Sequence, residues 1–134
     1  MKTARALAVC LYLIALAACS GVSSPSSYTP DDFSGLLPPG GEINRGFSVG
    51  ATGEIQVQLT ALNPLPRVGF IAMAVGQYAG TVCSPLQGMI IGQAAVNQQY
   101  ALGRITRGSY CITVADPNQV VTSPSTFTVR MLHP

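Results

Sequence analysis

In Glu54-Ile55-Gln56-Val57-Gln58-Leu59-Thr60, polar and apolar side chains alternate at every position. A period of two places Ile55, Val57 and Leu59 on one face of a strand and leaves the polar side chains on the other. A strand with one buried and one solvated face is typical of an antiparallel sheet. The sequence therefore predicts a domain built from antiparallel strands.

Similar strand patterns recur along the chain and are separated by turn signals such as Gly50-Ala51-Thr52-Gly53 and Asp116-Pro117-Asn118. The further predicted strands cover residues 42–49, 68–75, 109–114 and 125–131. Convincing helical periodicity is absent after the first residues. The prediction is an all-β fold, a small β-sandwich or jelly roll of about six to eight antiparallel strands.

Two segments between these strands are harder to interpret. Residues 93–104 fit a helical turn or two, although an all-β setting favours a strand that ends near Leu102. The glycine-rich segment from Gly76 to Ile91 is predicted to be a long connection. Tyr78 and Tyr100 are the aromatic residues in predicted loops, so they are candidate ligand contacts, and partial burial as packing residues is the alternative.

The beginning of the chain has the layout of a secretory signal peptide over residues 1–18. Lys2 and Arg5 precede a mostly apolar run that is shorter than the roughly 20 residues of a membrane-spanning helix. Leu16-Ala17-Ala18-Cys19 resembles a bacterial lipobox, in which the cysteine is acylated and becomes the mature N-terminus. An ordinary leader with a chance cysteine is the alternative. Cys10 lies inside the apolar run and is removed with it.

A lipid on Cys19 implies attachment to a membrane of the cell envelope, since two or three acyl chains give stable anchoring. Ser20 in place of an aspartate favours the outer membrane if the source is a diderm bacterium. Residues 19–41 are rich in serine, proline and glycine and are predicted to be a flexible tether before a domain of residues 42–134. Phe33, Leu36 and Leu37 within the tether are interpreted as docking on the domain edge or as a short contact motif.

The predicted mature chain is neutral and contains no lysine. Five arginines (Arg45, Arg67, Arg104, Arg107 and Arg130) balance five acidic residues (Asp31, Asp32, Glu42, Glu54 and Asp116). Nucleic-acid binding depends on clustered positive charge that neutralises phosphates. The composition therefore argues against nucleic acid as a partner.

Cys83 and Cys111 remain once the cysteines of the leader and the lipobox are set aside. Disulfides persist in exported proteins, and two cysteines have a single intramolecular pairing. A two-cysteine metal site is the alternative, but it has few other ligands, because His133 is the sole histidine and adjoins the last residue. The sequence predicts a Cys83–Cys111 disulfide.

No catalytic constellation emerges from the sequence, and we expect no enzyme activity and no cofactor. His133 is a poor general base next to the end of the chain, and Asp31-Asp32 is a carboxylate pair in the predicted tether. Asp116 and Asn118 offer two oxygen ligands, fewer than the six or more that calcium takes. Their plainer interpretation is as solvated turn residues.

The order of several motifs resembles the bacterial pre-peptidase C-terminal domains, which are exported β-sandwich modules. The motifs are Gly46-Phe47-Ser48-Val49, the alternating stretch from Gly53 to Leu59, a glycine-rich segment reaching Cys83, residues 108–116 and the closing Phe127-Thr128-Val129 strand. The resemblance covers roughly residues 42–134. It implies a non-catalytic sandwich with a role in secretion, solubility or substrate contact, although this sequence is predicted to carry a lipid anchor rather than a peptidase.

Two hypotheses for function follow. The first is a non-catalytic, membrane-anchored lipoprotein whose sandwich has a structural or protein-interaction role, with an envelope protein or a glycan as candidate partner. The second is a ligand-binding module for glycan or peptide that uses the segment between Gly76 and Ile91 and the side chain of Tyr78.

Overall fold

The computed structural model describes residues 28–134, and these residues form eight strands and no helix. The strands are β1 (Thr29–Leu37), β2 (Glu42–Val49), β3 (Gly53–Asn63), β4 (Phe70–Ala79), β5 (Val82–Ala95), β6 (Gln99–Ile105), β7 (Gly108–Ala115) and β8 (Ser125–His133). The predicted signal peptide, Cys19 and the first part of the tether lie outside the described residues. Among residues 28–134, no helix is long and apolar enough to cross a membrane.

The strands form two four-stranded antiparallel sheets that pack as a β-sandwich, which confirms the predicted fold class. Sheet A has the order β1-β8-β3-β6 and sheet B has the order β2-β7-β4-β5. The pairings are nested, because β1 pairs with β8, β2 with β7, β3 with β6 and β4 with β5. The first four strands thus pair with the last four in reverse order, as in a long hairpin that has folded up. This is the arrangement of an eight-stranded jelly roll.

The core lies between the sheets and is filled by the inward residues of each alternating strand. Ile55, Val57 and Leu59 of β3 are buried, as the alternation predicts. The inward residues of β8 (Phe127, Val129 and Met131) are also buried. The two period-two stretches at the centre of sheet A thus supply one wall of the core.

The structure corrects the predicted boundary between tether and domain. Residues 29–37 belong to the predicted flexible segment of residues 19–41, yet they form β1, which pairs with β8 over its whole length. Phe33 and Leu37 are buried in the core, and the Phe33 ring meets Phe127 edge-on with centroids 5.1 Å apart. Two large apolar side chains and a full strand pairing therefore hold a segment whose composition alone indicates a linker.

The predicted connection between Gly76 and Ile91 is also wrong, because β4 and β5 form a hairpin with a two-residue turn at Gly80 and Thr81. Residues 93–104 contain the end of β5 and most of β6, so the strand interpretation is confirmed there and the helical one is not. The pairing of β6 with β3 fixes that segment in sheet A.

The strands alternate in direction, so the sandwich has two distinct ends. The terminal end carries Tyr28, the β2–β3 turn, the β4–β5 turn, the β6–β7 turn and the last residues of the chain. There the Gly50 N–H donates to the Pro134 carbonyl oxygen at 3.1 Å. The far end carries the four remaining connections, at residues 38–41, 64–69, 96–98 and 116–124.

Candidate functional site

The β4–β5 hairpin ends in residues 77–85, which we call the ribbon. This segment is the part of the fold that differs most from a plain β-sandwich. Cys83 on β5 forms a disulfide with Cys111 on β7, with Cα atoms 5.9 Å apart. Since β4 lies between these two strands in sheet B, the ribbon must fold over β4 to reach Cys111. The predicted pairing is confirmed, and the bridge lies on the outer face of sheet B, because Cys111 alternates with Tyr110 and Ile112, which face the core.

Gly76 is the position on which the ribbon folds. In the register of sheet B it stands opposite Cys111 on one side and Pro85 on the other. A Cβ at this position would overlap the Ser84 carbonyl oxygen and would lie 2.6 Å from the Ser84 carbonyl carbon. Any side chain would therefore push the backbone of β5 away. Glycine is required at Gly76 by this close approach of two backbones.

Tyr78, a predicted ligand contact, lies on the ribbon and is 46% exposed. Its ring lies over Gly46 of β2, because a Cβ on Gly46 would be 3.2 Å from its Cε2 atom. The ring thus spans the outer face of sheet B as far as its edge strand. Tyr78 is the predicted contact residue that remains accessible on one side.

Tyr100, the other predicted ligand contact, lies on β6 in sheet A, and the two tyrosines do not belong to one site. Its hydroxyl accepts a hydrogen bond from the Ala95 N–H at 3.0 Å and donates one to the Gln93 carbonyl oxygen at 3.1 Å. The half-buried ring also packs against the core. Tyr100 therefore acts as a packing residue that ties β5 to β6.

A search for motifs misses one feature of this region, the absence of charged residues. Residues 68–103 contain no Asp, Glu, Lys, Arg or His over 36 consecutive positions. This stretch covers β4, β5 and the beginning of β6, so it includes an edge strand and the whole ribbon. Edge strands are usually protected by charged side chains. A count of charges along the chain is enough to find this surface before the structure.

Asp116, the acidic residue discussed for calcium binding, has a structural role, and its interpretation as a solvated turn residue is wrong. Asp116 is buried and accepts hydrogen bonds from the backbone N–H groups of Gly40, Val120 and Val121 at 2.8–3.0 Å. Its carboxylate thus joins the β1–β2 turn to the β7–β8 loop, while Asn118 is exposed. Residues 28–134 include no group of three or more His, Cys, Asp or Glu placed to hold a metal ion.

Asp31 and Asp32 lie on β1 rather than in a free tether. Asp32 forms an ion pair with Arg130 of β8, its two carboxylate oxygens lying 2.8 and 2.9 Å from the guanidinium nitrogens. Hydrogen bonding to Arg130 lowers the pKa of Asp32 below its ordinary value, against a smaller opposing effect of desolvation. Asp31 pairs with Arg45 of β2 at 3.2 Å. These carboxylates fix β1 to its neighbours.

His133 is buried, with its ring centroid 5.3 Å from that of Phe47. Its Nδ1 atom lies 3.5 Å from the Pro134 carbonyl oxygen. The histidine is therefore a packing residue at the terminal end.

Two surface depressions among the described residues are lined by few ionisable side chains. One of about 10 Å³ lies on the outer face of sheet A and is lined by Gln56, Gln58, Gln99 and Arg130. A larger, open one of about 500 Å³ lies at the far end beside Pro39, Gly40, Gln119, Val121 and Thr122, with no ionisable side chain in its lining. The ribbon is the more distinctive candidate for an interaction.

A scan against protein-family models finds no match to this chain, and a search of curated proteins finds none either. The resemblance to the pre-peptidase C-terminal domains therefore stays a prediction that depends on the quoted motifs. The structure defines the class of this protein by its fold, an eight-stranded jelly-roll sandwich.

Proposed function

We propose that this chain is a non-catalytic lipoprotein, attached through Cys19 to a membrane of the cell envelope, whose sandwich has a structural or protein-interaction role. The lipobox-like Leu16-Ala17-Ala18-Cys19 is the observation that carries the proposal. The fold supports it, because the chain enters the sandwich at Tyr28, nine residues after Cys19. An anchored Cys19 would therefore hold the terminal end of the domain close to the membrane.

Incorporation of a labelled fatty acid tests this proposal. Wild-type protein and a Cys10→Ala variant should both carry the label, because Cys10 belongs to the predicted leader. A Cys19→Ala variant should carry none, since the thiol that would form the thioether is lost. Label on the Cys19→Ala variant, or an unlabelled wild-type protein, would contradict the proposal.

A ligand-binding role is the second candidate, and the accessible ring of Tyr78 favours it. Aromatic rings on a rigid strand are common contacts for sugars and for peptide side chains. A glycan array or a peptide library should then reveal binding that a Tyr78→Ala variant loses and a Tyr100→Phe variant keeps. Binding unchanged by Tyr78→Ala would exclude the ribbon as the site.

A further inference from the structure

The position of the ribbon in the fold relates it to the N-terminal segment. Tyr28 is fixed at the terminal end, where its hydroxyl accepts a hydrogen bond from the Glu54 N–H at 3.0 Å and the next residue pairs with His133. The turn of the ribbon lies at this same end, because β4 runs antiparallel to β7 and ends where β7 begins. The ribbon and the point at which the chain enters the sandwich therefore share one end of the domain.

The length of chain before Tyr28 limits how far this end can lie from an anchor. Tyr28 is nine residues beyond Cys19. Fully extended, this stretch spans at most about 30 Å. A lipid on Cys19 would thus keep the terminal end within that distance of the bilayer surface.

The ribbon presents apolar side chains on a rigid support. One of its faces is held on sheet B by the disulfide of Cys83 and by the ring of Tyr78. Because strand residues alternate, Ala79 and Val82 belong to the opposite face. Val82 is 59% exposed. Ala79 and Val82 stand opposite each other across the hairpin and are both exposed, so this face offers an apolar pair to a partner.

The absence of charge along the ribbon favours a lipid surface as that partner. Transfer of a charged group out of water is expensive, and this ribbon has no such group to dehydrate. Tyrosine is suited to the boundary between water and lipid, because its ring is apolar and its hydroxyl is polar. Arg107, exposed in the β6–β7 turn of the same end, adds a positive charge that suits anionic headgroups.

A second copy of the chain fits this edge less well. Residues 86–89 bulge opposite a single residue of β4, and Pro85 has no N–H to donate. Bulges and prolines are the features that prevent one sheet edge from pairing with another. Strand-to-strand pairing between two copies through β5 is therefore disfavoured.

We propose that the ribbon contacts the bilayer to which Cys19 is attached, with Val82 and Tyr78 in the interfacial region, so that the sandwich sits with its terminal end on the membrane. This orientation rests on the proposed function, because it requires the anchor. It goes further by assigning a lipid-contacting surface to the folded domain itself.

Single tryptophans test the orientation, since the chain contains none. Val82→Trp places the probe on the ribbon, and Leu65→Trp places it at the far end at a comparably exposed position, 56% against 59%. Each lipidated protein is reconstituted into vesicles of phosphatidylcholine and phosphatidylglycerol that contain brominated phosphatidylcholine. The Val82→Trp protein should lose most of its tryptophan emission and shift to shorter wavelength, while the Leu65→Trp protein should keep both its intensity and its wavelength.

The other outcomes separate this inference from the anchor. If the proteins float with the vesicles but the ribbon probe is unquenched, or the far-end probe is quenched instead, the orientation is wrong while the anchor stands. If the proteins do not float with the vesicles, the anchor fails and the orientation fails with it. A blue shift of the Val82→Trp protein that appears on concentrating it without lipid would assign the surface to a second copy.

In the wild-type protein, amide exchange over residues 77–84 should slow on vesicles, and unchanged exchange would also contradict the orientation.

Discussion

At the scale of single residues, the fold depends on positions where a side chain is excluded as much as on those where one is buried. Gly76 and Gly35 both show this. A Cβ on Gly35 would lie 2.8 Å from the Phe127 ring, so the absence of a side chain there leaves room for an aromatic core residue. Sequence patterns of apolar residues do not record such positions, because glycine contributes nothing to the periodicity.

Gly76→Ala should destabilise the domain by about 1–3 kcal/mol, because the added methyl group overlaps the backbone of Ser84 and strain of this kind has that typical cost. Gly92→Ala is the matched control, since Gly92 lies on β5 and its Cβ would meet nothing within 4 Å. Urea unfolding monitored by circular dichroism measures both. Equal stability of the two variants would show that the ribbon does not approach β4 as described.

The Asp32–Arg130 ion pair should make the stability of the fold depend on pH. A pKa lowered in the folded state means that the pair stabilises the fold above the ordinary value of 3.8, and that this contribution is lost as the pH falls through the lowered value. Both side chains are well exposed, so the effect on stability is small. Arg130→Ala should return the pKa of Asp32 toward its ordinary value in a carbon-13 NMR titration. Arg107→Ala should leave it low, and a low value in Arg130→Ala would exclude the pair as the cause.

At the scale of elements, the strands with strict alternation could be predicted and those with interrupted alternation could not. The inward positions of β1 hold Asp31, Phe33, Gly35 and Leu37, so only two of the four are large and apolar. The serine, proline and glycine around them indicate a tether. What makes β1 a strand is its pairing with β8, nearly a hundred residues away, and no local pattern encodes that pairing.

Adjacent leucines provide a test of β1. Leu37 is fully buried, and its replacement by alanine should cost about 2–5 kcal/mol because it leaves a cavity in the core. Leu36 is 55% exposed, and its replacement should change stability by less than about 0.5 kcal/mol. Thermal unfolding of the two variants gives the comparison. If both are as stable as the wild-type protein, residues 29–37 are not part of the folded domain.

The ribbon resists prediction from sequence for a related reason. Gly76, Gly80 and the Cys83-Ser84-Pro85 sequence have the composition of a loop. In the structure each has a separate role: Gly76 allows close approach, Gly80 forms the turn with φ of 69°, and Pro85 lies next to a bulge. The cysteine pairing could be predicted by elimination, but the strand that it crosses could not, because that depends on the order of strands in sheet B.

At the scale of the whole molecule, charge and topology together give the domain two different sides. The charged residues lie on β1, β2, β3, β6, β8 and the connections, whereas β4, β5 and β7 carry none. The nested pairing also brings both ends of the described chain and the ribbon to one end of the sandwich. The charge-free stretch is visible in the sequence, but its place on neighbouring strands and the shared end of the sandwich both depend on which strands pair.

The proposed attachment to a membrane depends on acylation of Cys19, and the mass of the mature wild-type protein tests it most directly. We predict a chain that begins at Cys19, carries the added mass of a diacylglyceryl group with or without a further acyl chain, and lacks two hydrogens because Cys83 and Cys111 are joined. A mature chain that begins elsewhere, or one with an unmodified Cys19, would contradict the account.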